Sequence, residues 1–394
     1  MRGRSNASCF ASRNDVANQA TRRRPQASLA SGASIIFPVM IKRYGGRVSV
    51  SLMVAMVFAL AGVAKLPNLR AQELDIELIS TAHLLPDVGP GLRAIHRDAS
   101  GRFYVLTAPG TFISMYSADG KTVGRIPAVT TKEVSLQDAT DFDLDSSGRV
   151  VVADRGANAI KTFNSAGHDQ NSFPVTAPAF VAALSSGEIA VASLHSRKLV
   201  EIYDKDGRWL RNFGERTNLA DHSELNRSLN LGKLIADPTN HLYYAFSYLP
   251  EPTVRRYDHL GNTSLEISLS TLEFAPVAEA TRHQISEQDQ KPGAPIFKPV
   301  INAVGVDPQS LDVWIAMDDE LTHFDREGSR RGETYRTYTA QGDRVVPISI
   351  LVEPDHLILA GDPVGVYLFP RPDKAPGIAP EKTEEKPAAV DRKP

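Results

Sequence analysis

Residues 149–167 read RVVVADRGANAIKTFNSAG: an apolar β-branched run, a polar break, a second apolar run and a turn ending in glycine. This pattern predicts two strands joined through a polar loop. The same pattern recurs along the chain. Residues 98–120 read DASGRFYVLTAPGTFISMYSADG, and residues 184–207 read LSSGEIAVASLHSRKLVEIYDKDG. Two more copies lie at 237–261 and 307–328, and a less complete sixth, EPDHLILAGDPVGVYLFPRPD, at 353–373.

The copies agree position by position. Four residues before the second glycine stand Tyr116, Phe163, Tyr203, Tyr257 and Phe324. Seven before it stand Ile113, Ile160, Val200, Val254 and Leu321, and Val366 and Phe369 keep the same offset in the sixth copy. Each unit reads as an apolar strand, a tight turn, a VVVA-type strand, a variable polar loop and an I-x-x-F strand. A second turn and a more polar segment follow, the latter suited to an outer edge. Four antiparallel strands per unit and six units predict an all-β fold, a six-bladed β-propeller. Its inner strands carry apolar residues, as at Phe142 and Leu144, as expected where each blade is packed from two sides. The sixth unit runs out after three strands. The alternating segment ELDIELIS, residues 73–80, is expected to supply the missing outer strand, since Pro370, Pro372 and Pro376 argue against a strand from the chain that follows.

With Val152, Ala153, Asp154, Ile160, Phe163 and Gly167 in the second unit, the chain resembles the NHL-repeat family of six-bladed propellers. The third unit matches at Val191, Ala192, Val200, Tyr203 and Gly207 but has Ser193 in place of the aspartate, and Pro178 and Pro347 stand where that family often opens a repeat. The resemblance covers residues 73–373 and implies the propeller fold. It implies little about function, because such propellers include binding scaffolds and unrelated enzymes.

The rest of the chain divides differently. Residues 1–39 are rich in Ser, Ala, Asn and Arg, and read either as a disordered targeting extension or as sequence upstream of a true start at Met40. Residues 40–72 carry Lys42, Arg43 and Arg47 before an uncharged apolar run at 48–64, the layout of an export signal or, uncleaved, of a membrane anchor. Residues 374–394 are rich in Pro, Lys and Glu and are expected to form a disordered tail. The expected location is therefore periplasmic or secreted. The net charge of −2 gives no reason to expect nucleic acid as a partner. The single cysteine, Cys9, excludes an intramolecular disulfide framework and any CxxC site.

Strand order places the long inserts, 128–138, 215–230 and 270–300, on one face, with only short turns on the other. Long loops on a rigid scaffold are where binding is expected. At the centre of that face the inner strands begin near Arg93, Asp141, Lys233 and Asn302, a ring of both charges. The loops between second and third strands offer Arg155, Asn158, His195, Arg197 and Tyr248. These suit a polar ligand or peptide, and equally plain solvent. Asp141, Asp143 and Asp145 resemble a calcium loop, but Phe142 and Leu144 between them make a strand, and Asp145 recurs before the turn as Asp98, Asp237, Asp307 and Glu353. Propeller lyases and lactonases similar to this fold hold a metal on the axis. Here His96 and Asp143 occupy equivalent positions, but the other equivalents are Ala182, Ile235, Gly305 and Leu351, a poor ligand set. No catalytic residues, metal or cofactor are expected. The reading is a monomeric exported scaffold that binds a protein, peptide or glycan on the long-loop face, with a metal-dependent lyase or lactonase at the channel mouth as the alternative.

Overall fold

The computed structural model describes residues 76–374 except 87, 130–133, 272 and 292. The N-terminal extension, the export signal or anchor, and the tail beyond Lys374 lie outside these residues. Among the described residues no helix is long and apolar enough to cross a membrane.

Six antiparallel sheets form the six blades of a β-propeller. Their inner strands are Leu92–Arg97, Ala139–Leu144, Pro178–Ala183, Gly232–Ala236, Ala303–Val306 and Val346–Val352. Each contacts the inner strand of the next blade, and the sixth contacts the first. An apolar cluster fills each of the six boundaries between neighbouring blades. This explains the unbroken apolar run Val150–Ala153. Successive side chains on a strand point to opposite faces. Val150 and Val152 therefore enter the cluster shared with blade one, and Val151 and Ala153 the cluster shared with blade three.

The repeating positions have structural roles. Ile113, Ile160, Val200, Val254 and Leu321 are fully buried, and Phe163, Tyr203, Tyr257 and Phe324 are buried beside them. The second-turn glycines all adopt a left-handed backbone, from φ +80° at Gly120 to φ +90° at Gly261. Some also lie under the preceding blade: a Cβ on Gly207 would fall 2.4 Å from Phe173, and one on Gly261 would fall 2.5 Å from Phe213. The aspartates before the first turn close it as expected. Asp98 accepts the N–H groups of Ser100 and Arg102 at 2.9 and 3.0 Å, and Asp145 those of Ser147 and Arg149, both at 2.9 Å. Glu353 differs, accepting a bond from Arg97 of blade one.

The N-terminal chain closes the last blade, but with a shifted division of labour. Ala82–Leu85 pairs antiparallel with Gly365–Pro370, Ala82 opposite Leu368, and completes the sixth sheet. Ile76–Ile79, within the segment expected to do this, lies parallel on the outer edge of Arg330–Tyr338 in blade five. Ser80 donates its N–H to Tyr338 O at 2.9 Å and Thr81 to Leu368 O at 2.7 Å, so the chain crosses from blade five to blade six between adjacent residues. Leu78 enters the cluster between those two blades.

Two inserts fold into helices, α1 (Ser223–Leu229) and α2 (Ala275–Gln288). Leu225 and Leu229 of α1 pack with Ile285 of α2, with Tyr248 and Phe297 against them. The Asp289 carboxylate accepts the N–H groups of Asp221 and His222 at 3.0 and 2.9 Å, just ahead of α1. The inserts thus form a small ordered cap between blades three and five on the long-loop side.

Two glycines separate backbone strain from packing. Gly207 (φ +87°) lies under Phe173, whereas Gly187 (φ +86°) has open space around its Cβ position. Left-handed backbone costs a non-glycine residue about 1–2 kcal/mol, and overpacking about 1–3 kcal/mol more. Urea unfolding should show Gly187→Ala losing about 1–2 kcal/mol and Gly207→Ala about 2–5 kcal/mol. Equal losses would contradict the inter-blade role of Gly207.

Candidate functional site

The inner strands enclose a central cavity of about 380 Å³. Most of its wall is apolar or backbone, including Val181, Ile235, Val304 and Ile350. Seven ionisable residues interrupt that wall: Arg93, His96 and Arg97 from blade one, Asp141 and Asp143 from blade two, Lys233 from blade four and Glu353 from blade six. His96 Nδ1 lies 3.2 Å from Asp143 Oδ1, and its ring meets Phe142 edge-on at 4.9 Å. The blade-two carboxylates reach the inner strand of blade three. Asp141 Oδ2 accepts the Val181 N–H at 3.0 Å, and Asp143 Oδ2 the Ala183 N–H at 2.8 Å. Lys233 Nζ reaches blade six and donates to the Ile348 carbonyl.

A low-dielectric wall penalises charge on His96, Asp141, Asp143 and Lys233. Burial pushes the Asp141 carboxyl up to about 7, against the opposing pull of the Val181 N–H and the Lys233 charge. Burial also raises Asp143, with His96 opposing. It lowers His96, with Asp143 opposing, and lowers Lys233, with Asp141 opposing. The His96 and Asp143 side chains retain 28 % and 17 % of their accessible surface, and that surface faces the cavity, where a small molecule could meet them.

The anticipated residues fall into distinct places. Asp141 and Lys233 line the cavity, and Arg93 stands on its wall. Arg93 and Arg155 grip opposite oxygens of Asp138, at 2.7 and 2.8 Å. Burial works against ionising Asp138, but the two guanidinium groups outweigh it and hold the carboxyl below its ordinary range. Arg155 is thus tied to the wall rather than offered freely to a ligand. Asn158 and Asn302 do loop-building work. Asn158, at φ +50°, accepts the Ala177 N–H at 2.8 Å, and Asn302 accepts the Asp318 N–H at 2.9 Å. His195 is exposed in the loop of blade three, its N–H donating to Ser193 Oγ at 3.2 Å. Tyr248 packs edge-on against Phe297 in the insert cap, ring centres 5.8 Å apart.

The His96–Asp143 pair, weighed in the sequence only as metal ligands, joins Asp141 and Lys233 in one cavity. Among the described residues no three His, Cys, Asp or Glu side chains are gathered to hold a metal ion. The calcium-like series is divided by geometry: Asp141 and Asp143 bond the backbone of blade three, while Asp145 closes its own turn. Asp154 of the repeat is wholly buried. It pairs with Lys161 at 2.8 Å and accepts the N–H groups of Gln137 and Asp138, so it anchors the loop entering blade two.

Asp141 sets a pH dependence of stability. Its folded pKa lies above its unfolded value, so between about pH 4 and pH 7 the folded state holds a proton that the unfolded state has lost. Folding therefore loses stability as pH rises through that window, by up to a few kcal/mol. Asp141→Asn removes this contribution. Urea unfolding across the window should show the variant gaining stability relative to the parent as pH rises. A constant difference would contradict a raised Asp141.

No family model and no curated protein matches the chain. Solved structures align with it at low identity. A streptogramin B lyase aligns with TM-score 0.48 and 11 % identity over 74 % of this chain and 86 % of the other. Virginiamycin B lyase from Staphylococcus aureus aligns with TM-score 0.48 and 12 % identity over 73 % and 97 %. The RRP9 WD40 repeats align with TM-score 0.48 and 11 % identity over 75 % and 99 %.

Proposed function

We propose that this chain is an exported, non-enzymatic propeller of the NHL-repeat kind that binds a peptide segment of another protein on its long-loop face. The observation that carries this reading is the surface built by the inserts. Beside α2 lies a groove of about 790 Å³, bordered by Gln284, Glu287, Lys291, Ile296, Phe297 and Lys298. Ile296 is 84 % exposed, on a face otherwise given to polar side chains. The segment bearing it is pinned: Gln288, itself buried, accepts the Ile296 N–H at 3.1 Å and donates to Ala294 O at 2.7 Å. An apolar anchor held on fixed backbone and ringed by both charges suits a peptide carrying an apolar side chain. A glycan would favour an open aromatic face, and Phe297 instead meets Tyr248 edge-on. The basic flank and apolar run at 40–64 support export, with a membrane tether if the run is retained. The lyase or lactonase alternative lacks comparable support, since Ala182, Ile235, Gly305 and Leu351 offer no ligands at the level of His96 and Asp143.

A photo-crosslinking residue at Glu287, in cells making the protein, should give one discrete adduct that Ile296→Asp reduces about tenfold. The same probe at Val123, exposed on the outer strand of blade one, should give none. Identical adducts from both positions, or none from Glu287, would overturn the reading.

A further inference from the structure

The central cavity contains an arrangement that a binding face on the inserts does not use. The inner strands place equivalent residues at one level: Ala94, Asp141, Phe180, Lys233, Ala303 and Ser349, each four positions before its first turn. At that level Ala94 and Ser349 line the cavity with small side chains, and Phe180 adds an apolar wall. Into this space project one amine and one carboxyl group. Lys233 Nζ donates to the Ile348 carbonyl, and among the described residues no carboxylate oxygen lies within 4.0 Å of it. Asp141 is close enough for its charge to be felt by Lys233, and one of its oxygens is held by the Val181 N–H at 3.0 Å.

We propose that Lys233 captures a small aldehyde or ketone as an imine in the central cavity, with Asp141 moving the protons. The amine lone pair attacks the carbonyl carbon, a C–N bond forms, and the carbonyl oxygen takes a proton from the Asp141 carboxyl. The nitrogen of the resulting carbinolamine returns a proton to Asp141, which passes it to the departing hydroxyl. Water leaves, the C=N bond forms as the iminium, and return of its N–H proton to Asp141 gives the imine and restores the carboxyl group. Amine and carbonyl compound are consumed, imine and water are formed, and no oxidant or reductant takes part. Two conditions favour the step. Burial disfavours the ammonium form of Lys233, leaving the lone pair available, and keeps a proton on Asp141 near neutral pH. A cavity of about 380 Å³ admits a short-chain carbonyl compound of roughly ten non-hydrogen atoms. The apolar wall suits its chain, and Ser349 and His96 offer hydrogen bonds to polar substituents. This inference stands apart from the peptide groove and does not depend on it.

The test uses the folded wild-type protein with butanal and cyanoborohydride at neutral pH, followed by peptide mapping. Reduction freezes an imine as a secondary amine of defined mass. The expected result is a Lys233 adduct forming at least about tenfold faster than adducts at the exposed Lys121, Lys205 and Lys298. Asp141→Asn should slow Lys233 labelling by a similar factor and leave the exposed lysines unchanged. Labelling of Lys233 no faster than theirs overturns the proposal. Fast labelling that Asp141→Asn does not slow overturns the role given to Asp141.

Discussion

Everything in this molecule depends on the pairing of Ala82–Leu85 with Gly365–Pro370. A propeller blade buries both faces only if it has a neighbour on each side. The sixth blade has three strands of its own, and its outer edge is completed by chain that precedes the first blade. Leu85 and Val88 fill the boundary between blades six and one, beside Ile358 and Val366. His83 stacks on Tyr367 with ring centres 4.4 Å apart. Without that strand the sixth sheet would present an open edge, and the boundary between blades six and one would lose part of its apolar filling. The cavity at the axis would lose the fixed positions of Ile348 and Ser349, which come from the sixth blade.

The architecture was legible because repetition gives every blade the same needs. Ile160, Phe163 and Gly167 recur since each blade requires a buried third strand, an aromatic wedge and a left-handed turn under its neighbour. The closure was legible in kind but displaced by a few residues. ELDIELIS and the segment after it both alternate, and alternation alone does not say which stretch lies on which blade. The two helices escaped notice for a different reason. The buried positions of α2 are Ala278, Thr281, Ile285 and Gln288. Their spacing is helical, but two are polar, so no apolar stripe marks the helix in the sequence.

The site was legible only in part, and the limit is geometric. Counting back from the turns places Asp141 and Lys233 at one level of the inner strands. That they share a cavity depends on the curvature of the ring, which no local pattern encodes. In the sequence Arg155 and Asn158 read as loop residues suited to a polar ligand or to solvent. The structure ties one to Asp138 and uses the other to hold the entry to blade three. Non-recurring residues thus serve either function or the particular path of a loop, and only their partners distinguish the two. In the cavity the partners are backbone groups of neighbouring blades: Asp141 and Asp143 hold blade three, and Lys233 holds blade six.

Closure by the N-terminal strand is the claim on which the cavity, its buried charges and the placement of the inserts all rest. Native-state hydrogen exchange of the full chain tests it directly. In a closed ring the amides of Ala82–Leu85 that bond to the last blade exchange by the same slow, cooperative opening as those of Leu357–Ala360 in the adjoining strand. Exchange of Ala82–Leu85 at the rate of an exposed loop, with Leu357–Ala360 still protected, would show a ring held by something other than this strand.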